Sequence, residues 1–432
     1  MATFTAIPQL VVDFSYSTPA GKKETLTIRE GDILKDVVYK DIDGKIQSKT
    51  GKITAIMTTE TKSTTNYDGC ACSLKSSFKA HVAVDGFVID SSDVYEADTN
   101  MIFVKDLQSI GGIVEGKKEV DLANLPEGGL TAVIAELQPG QELKLGAGEI
   151  TEELVLPAGV TIRGANAGVS AAKGYRAQGG VIEGETVISA PITAVEGDII
   201  LDGVTLAGKA CITAGEESNV VVSNTRMVDL VASTQSDAAI KVEGNDKQKS
   251  VKVVAMNCYF GDTVGEEGKD IAGVYNLINL HGNLQSGSVI KNCYFSANSY
   301  INNAINIYRV DDGGHIDIVN NVFEKSVTAI RISGYEDMNC VINCTNNTYN
   351  DTWAIDSEYP EYAGLVLVQP TNLATTMGNV IVNIDGTVNN SGNDTQIWYY
   401  YAGAKEPQFE GNDLPKVFVN GVQEPVVNTY VG

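Results

Sequence analysis

The 432-residue sequence has no apolar run long enough for a membrane-spanning helix, which needs about 20 residues. Nor does MATFTAIPQLVVDFSYS at its start place a basic segment before an apolar core, so no secretory signal is expected. Histidine is scarce, and His81 and His281 stand alone, as structural or surface residues do. Cysteine is odd in number: Cys70, Cys72, Cys211, Cys258, Cys293, Cys340 and Cys344. An odd set without a secretory signal is not a disulfide framework. Cys70 and Cys72 could offer two thiolates to a metal, but no nearby histidine or third cysteine completes a tetrahedron. Charge of one sign is short too: 31 basic against 55 acidic residues leave a net charge of −24. Residues 1–110 carry only −3 of it and the remaining 322 residues −21. Such an acidic body is not expected to bind nucleic acid or an anionic membrane.

What the sequence does contain is a repeat. VKVVAMNCYFGD (251–262) returns as GSVIKNCYFSAN (287–298) and as HIDIVNNVFEKS (315–326). Aligned on the aromatic, Phe260, Phe295, Phe323 and Tyr349 each follow by three positions Asn257, Asn292, Asn320 and Asn346. Ala255, Ile290, Ile318 and Cys344 lie two positions before those asparagines, and Val253, Ser288, Ile316 and Ile342 two further back. VVVSNTRM adds Val220, Val222, Asn224 and Met227, and IILDGVTL adds Ile199, Leu201, Gly203 and Leu206. A period of two is that of a strand with one buried face, with Lys252, Lys291 and Asp317 on the other.

The asparagines recur at intervals of 33, 35, 28 and 26 residues, with 21 from Gly203 to Asn224. Each interval holds another short apolar run: AAIKV (238–242), LINL (277–280), AINIY (304–308), AIRIS (329–333) and GLVLV (364–368). No helical apolar stripe intervenes, so the repeat is the coil of a parallel β-helix, with two or three strands per turn. The recurring asparagines are expected to stack at an inward turn, each carboxamide bonding its neighbours. Cys258 and Cys293 share one column and Cys344 lies in an inward one, as small apolar spacers do.

KLGAGEITEELVLPAGVTIRGANAG (144–168) resembles the opening coil of the pectate-lyase-like, right-handed parallel β-helix superfamily, and the N-C-Y-F and N-N-V-F turns resemble its asparagine ladder. The resemblance covers about residues 140–395 and implies the fold; the scaffold serves lyases, hydrolases, viral spikes and adhesins alike.

The expected architecture is all-β. Residues 1–115 read as a small β-barrel or sandwich, with Asp43-Gly44 a hairpin turn. Residues 116–140 read as a connector with one short helix at most, 141–395 as the β-helix, and 396–432 as a C-terminal cap or subunit contact. In that last part Trp398, Tyr399, Tyr400 and Tyr401 could plug the final coil, and KVFVNGVQEPVV could form a hairpin.

Polygalacturonase-like members of the superfamily use an Asp pair, a G-H-G and an R-I-K. The nearest run here is Asp311-Asp312-Gly313-Gly314-His315, followed by Arg331-Ile332-Ser333. Ile316 replaces the last glycine and Ser333 the lysine, so a plain turn is expected. No catalytic, cofactor-binding or metal residues are assigned, and no cofactor is expected. The Asn-X-Ser/Thr triplets at Asn343, Asn346, Asn350, Asn389 and Asn393 read as accidents of asparagine-rich turns.

The arrangement resembles tailed-phage virion appendages. The expectation is a virion protein of the capsid-decoration or head-fibre type, docked through residues 1–115 on other virion proteins such as the major capsid protein. Lys35, Lys40, Lys45, Lys49 and Lys52 lie in the docking part. A host-surface glycan and a homotrimer are further expected partners. The alternatives are a tailspike depolymerase acting on polysaccharide and a bacterial surface adhesin.

Overall fold

The computed structural model describes residues 11–68, 71–89, 102–104, 106–194, 198–215, 218–234, 236–244, 249–269, 273–296, 303–326, 328–333, 338–350, 364–368, 377–391, 397–400, 414–424 and 428–429, with backbone alone for 57–80, 102–103, 364, 367, 397–400 and 428–429. It divides into two compact units, 1–118 with 140–142, and 119–139 with 143–432.

In the first unit, Val11–Ser17 and Lys23–Arg29 form an antiparallel hairpin. A six-stranded sheet runs in the order Ile102–Val104, Phe87–Ile89, Ala71–Val84, Ile46–Asp68, Ile33–Lys40, Asp106–Val114. The expected turn at Asp43-Gly44 joins two of its strands, with Gly44 at φ 75°. Phe14, Tyr16 and Ile28 of the hairpin share one core with Val37, Tyr39, Val82, Phe87 and Ile110 of the sheet. Hairpin and sheet are therefore two layers over one core, as in a sandwich. Among the described strands the order does not close into a barrel.

The second unit is a parallel β-helix. Each coil contributes a strand to three sheets, of 12, 10 and 11 strands. The repeat strands pair in parallel in the first sheet: Val254 with Val289, Ser288 with Ile316, Ile316 with Ile342. The aromatics pair in the second sheet, and the additional apolar runs form the third, Ile240 with Ile278, Ile305 and Ile330 in succession. Alternate residues are buried, so Val253, Ala255, Ile290, Ile316, Ile318, Ile342 and Cys344 form one continuous core.

The aromatic column is a true stack. Phe260 and Phe295 lie 4.6 Å apart between ring centroids, Phe295 and Phe323 4.9 Å, Phe323 and Tyr349 5.3 Å, all within 13° of parallel. Those spacings follow the ~4.8 Å separation of neighbouring strands.

The expected asparagine ladder is present only at its start, where the buried Asn224 accepts from Asn257 Nδ2 at 3.3 Å. Asn292, Asn320 and Asn346 are exposed, and the whole column has left-handed backbone, φ 50° at Asn224, 56° at Asn257, 55° at Asn292, 54° at Asn320 and 53° at Asn346. Asparagine tolerates this conformation better than other side-chain-bearing residues, and glycine accepts it freely, as Gly203 does at φ 70°. Only glycine fits at 203, because a Cβ there would strike the backbone of Asn166 and Ala167. The inward ladder stands one residue later, in Cys258, Cys293, Asn321 and Asn347. Each donates to a core carbonyl of the preceding coil: Cys258 Sγ to Val222 O, Cys293 Sγ to Ala255 O, Asn321 Nδ2 to Ile290 O, Asn347 Nδ2 to Ile318 O. The amide oxygens are used as well, Asn321 Oδ1 by the Cys293 N–H and Asn347 Oδ1 by the Asn321 N–H. The cysteines are thus thiol donors in a polar column and not only spacers.

The segment expected as a connector contains the helix Gly129–Ala135, whose buried Leu130, Val133 and Ile134 join the solenoid core. Spacings of three and four residues set them on one face. Glu152 accepts from the Leu130 N–H at 3.1 Å, satisfying a donor that the helix cannot. A helix that precedes the first coil and buries its apolar face in that core acts as an end cap. In 396–432, Ile397–Tyr400 continues the third sheet and Lys416–Val419 the first. The expected hairpin is present, Lys416–Val419 pairing antiparallel with Val422–Glu424. Of the aromatic cluster, Tyr401 and the side chains of Trp398, Tyr399 and Tyr400 lie outside the described residues.

Asn321→Leu is expected to cost about 1–3 kcal/mol, since it strands the Cys293 N–H and the Ile290 carbonyl. Asn292→Gly should be near neutral, whereas Asn292→Val should cost about 1–2 kcal/mol through left-handed backbone strain alone. Thermal or denaturant unfolding of the three variants checks this; equal losses in Asn321→Leu and Asn292→Gly would contradict the column assignment.

Candidate functional site

Between the first-sheet strand Thr161–Arg163 and the second-sheet strand Thr186–Ile188 the coil makes a long excursion instead of a tight turn. A wholly buried polar cluster fastens it. Glu185, 3% exposed, accepts from Arg176 Nε at 2.9 Å, from Arg226 Nη1 at 2.5 Å and from Thr205 Oγ1. Arg176 also donates to the carbonyls of Val169 and Asn224, and Arg226 to those of Arg176, Gln178 and Gly180. Two arginines thereby tie five loop and strand carbonyls to one carboxylate. Burial pushes the Glu185 carboxyl up, but the Thr205 hydroxyl and the two guanidiniums outweigh it and hold the group below its usual 4.5.

The fastened loop packs on the outer face of the second sheet. Ala171 and Ala177 meet Val228, Tyr259 and Tyr294 there, and the two tyrosine rings stack at 5.7 Å. Tyr294 Oη donates to Glu324 at 2.5 Å. Beyond the stack stand Asp229 and Asp262, both exposed, on neighbouring coils where Leu230 pairs with Thr263. Partial desolvation and then the Asp229 charge raise the Asp262 carboxyl above its ordinary value, against the pull of Lys325. The backbones of Asp229 and Asp262 on adjacent coils are one strand spacing apart, ~4.8 Å. The arrangement places two exposed carboxylates on adjacent coils near stacked aromatic rings.

The residues singled out by sequence are arranged differently. Asp311, Asp312 and Gly313 turn the chain from Asn303–Val310 into Gly314–Val319, with Gly314 N–H donating to Asp311 O. Asp311 accepts from Asn283 and Asp312 from Asn339, each on a neighbouring coil. His315 Nδ1 lies 3.1 Å from Ser286 Oγ. Arg331 is on a third-sheet strand, and the buried Ser333 donates to Asn306. Every one of these bonds fits turn and ladder roles. The His281 ring meets that of Tyr308 at 4.5 Å between centroids, tilted by 48°, and His81 is buried in the first unit. Burial raises the thiols of Cys211 to about 11 and of Cys340 and Cys344 to about 12, which disfavours the thiolate at neutral pH. Cys70 and the side chain of Cys72 lie outside the described residues. Among the described residues no three His, Cys, Asp or Glu side chains group as a metal site would require.

Repeat alignment carries a signal for the aspartates: Met227-x-Asp229 and Phe260-x-Asp262 occupy one column. The chain matches no protein-family model, no curated protein and no solved structure.

Glu185→Gln is expected to destabilise the second unit by about 3–5 kcal/mol at neutral pH, by leaving buried guanidinium charge uncompensated. Because the folded-state pKa is depressed, the stabilisation is full above the unfolded-state value and is lost as pH falls through the folded one. Unfolding curves from pH 7 down to pH ~3 should therefore show the gap between wild type and variant closing below pH 4.5; a gap independent of pH would contradict the clamp.

Proposed function

We propose that this chain is a structural component of a virus particle, of the tailed-phage capsid-decoration or head-fibre type. Residues 1–115 dock on another virion protein and the acidic solenoid projects. The observation that carries the reading is the solenoid itself. Its sheets stack strands from about ten coils, which at ~4.8 Å per coil make a rod roughly 50 Å long. A rod stiffened along its axis suits a projection. The charge division, −3 against −21, supports the near-neutral part as the docking end, because an acidic surface repels it far less.

Asp229 and Asp262 favour a second reading, a depolymerase acting on host-surface polysaccharide. In that reading Asp262 serves as the acid and Asp229 as its partner, beside the Tyr259–Tyr294 stack.

Quantitative mass spectrometry of purified particles tests the first reading. It predicts many copies per particle, and absence from particles would overturn it. Incubating the same protein with host-surface polysaccharide should release no oligosaccharide; release that disappears in Asp262→Asn would transfer the function to the second reading.

A further inference from the structure

The outer face of the first sheet carries a recess made by a glycine. Extending the register of Val254 with Val289 and of Ser288 with Ile316 aligns Lys252, Gly287 and His315 on three successive coils. Gly287 has φ 76°, and a Cβ there would stand 2.9 Å from Lys252 Nζ and 3.9 Å from His315 Nε2. Any side chain at 287 would be strained and would crowd both groups. Glycine is what lets an ammonium and an imidazole share one recess.

A hydroxyl completes the edge of the recess. Ser286 Oγ lies 3.1 Å from His315 Nδ1 and accepts from the His315 N–H at 3.2 Å. The Gly287 N–H donates to His315 O at 2.8 Å, so serine and histidine are fixed to each other through backbone and side chain. Having accepted one hydrogen bond, the hydroxyl has its own hydrogen to give to Nδ1. A neutral imidazole that accepts at Nδ1 carries its hydrogen on Nε2. That nitrogen faces Asp317 Oδ2 at 3.9 Å, and Asn343 on the next coil donates to Asp317 Oδ1 at 2.8 Å. Lys252 Nζ donates to Ser286 O at 3.2 Å, which keeps the ammonium at the same place. The side chains of His315 and Asp317 are 49% and 36% exposed, so the group is open to a ligand. A turn requires the backbone bonds; it does not require a carboxylate on the far side of the ring or an ammonium beside the hydroxyl.

We propose that Ser286 and His315, with Asp317 and Lys252, form a nucleophilic site that hydrolyses carboxylic esters. Ser286 Oγ attacks the acyl carbon as its proton passes to His315 Nδ1. The carbonyl oxygen becomes an oxyanion beside the Lys252 ammonium, and Asp317, a positioning residue, stabilises the imidazolium. The ester C–O bond then breaks, and the alcohol leaves with the proton from His315. Water attacks the acyl-serine and gives a proton to His315, which returns it to Ser286 Oγ as the carboxylic acid departs. Ester and water become acid and alcohol, and no other reactant is needed. An ammonium on a flexible stem stabilises an oxyanion less than a fixed pair of N–H groups does, which favours an ester, with its better leaving group, over an amide. The activity goes beyond the particle reading and does not rest on it.

The full-length chain is assayed with para-nitrophenyl acetate and, separately, treated with a fluorophosphonate and mapped by peptide mass spectrometry. The phosphonyl adduct should appear on Ser286 and be missing from His315→Gln. Ser286→Ala and His315→Gln should each lower kcat/KM for the ester roughly hundredfold. Because His315 is exposed, His315→Gln keeps the test decisive should Ser286→Ala shift the unfolding midpoint. Asp317→Asn should lower kcat roughly threefold to fivefold at unchanged KM, the scale of one exposed ion pair, and Asp317→Glu should recover part of the loss. An adduct elsewhere or none at all, or ester hydrolysis equal in wild type and His315→Gln, would overturn the site. An unchanged kcat in Asp317→Asn would overturn the part given to that carboxylate.

Discussion

Hydrogen bonds between successive coils run along the axis of the solenoid, so each strand is satisfied only by the coils before and after it. From this constraint the rest follows. Stacked coils force like positions into columns, and each column must be filled by a side chain that tolerates a copy of itself one strand spacing away. Phenylalanine over phenylalanine meets the requirement at 4.6 and 4.9 Å. Buried polar columns meet it only if every member donates to the coil before it, as Cys258, Cys293, Asn321 and Asn347 do. The same constraint requires a cover at the end, which the helix Gly129–Ala135 provides through Leu130, Val133 and Ile134.

Excursions from the coil can then carry chemistry without disturbing the stack. The loop after Arg163 is long, yet Arg176 and Arg226 converge on Glu185 and hold it against the second sheet. A buried ion cluster is weak as a source of net stability, because desolvation offsets much of the attraction. Its value is positional: it fixes a surface beside Tyr259, Tyr294, Asp229 and Asp262.

Much of the coil was legible in sequence, since burial on one face imposes a period of two, and Val253, Ala255, Ile316 and Ile318 follow it. The ladder was displaced by one residue for a physical reason. Asparagine suits both a left-handed turn and a buried carboxamide column, and Asn320-Asn321 and Asn346-Asn347 present both side by side. The pairs Asn257-Cys258 and Asn292-Cys293 hide the inner column behind a thiol that performs the same donation. The Arg176–Glu185–Arg226 clamp was not legible, because its members are brought together by a loop with no repeat and have no fixed spacing. The carboxylate pair was legible in the repeat alignment, but a search led by Asp311, Asp312 and His315 passes over it. In the first unit the Asp43-Gly44 turn was plain, whereas the layering of Phe14 and Ile28 on the sheet depends on distant contacts that no local pattern reports.

The central claim is that the coils are joined into one axially bonded stack, with its polar column at Cys258, Cys293, Asn321 and Asn347. Residue-resolved hydrogen exchange on the intact chain tests it most directly. The Cys293 and Asn321 amides, which donate to Asn321 Oδ1 and Asn347 Oδ1, should exchange only with global unfolding, together with those of Val253–Met256 and Ser288–Lys291. Rapid exchange at Cys293 and Asn321 while the flanking strands stay protected would contradict the inner column; rapid exchange throughout would contradict the stack.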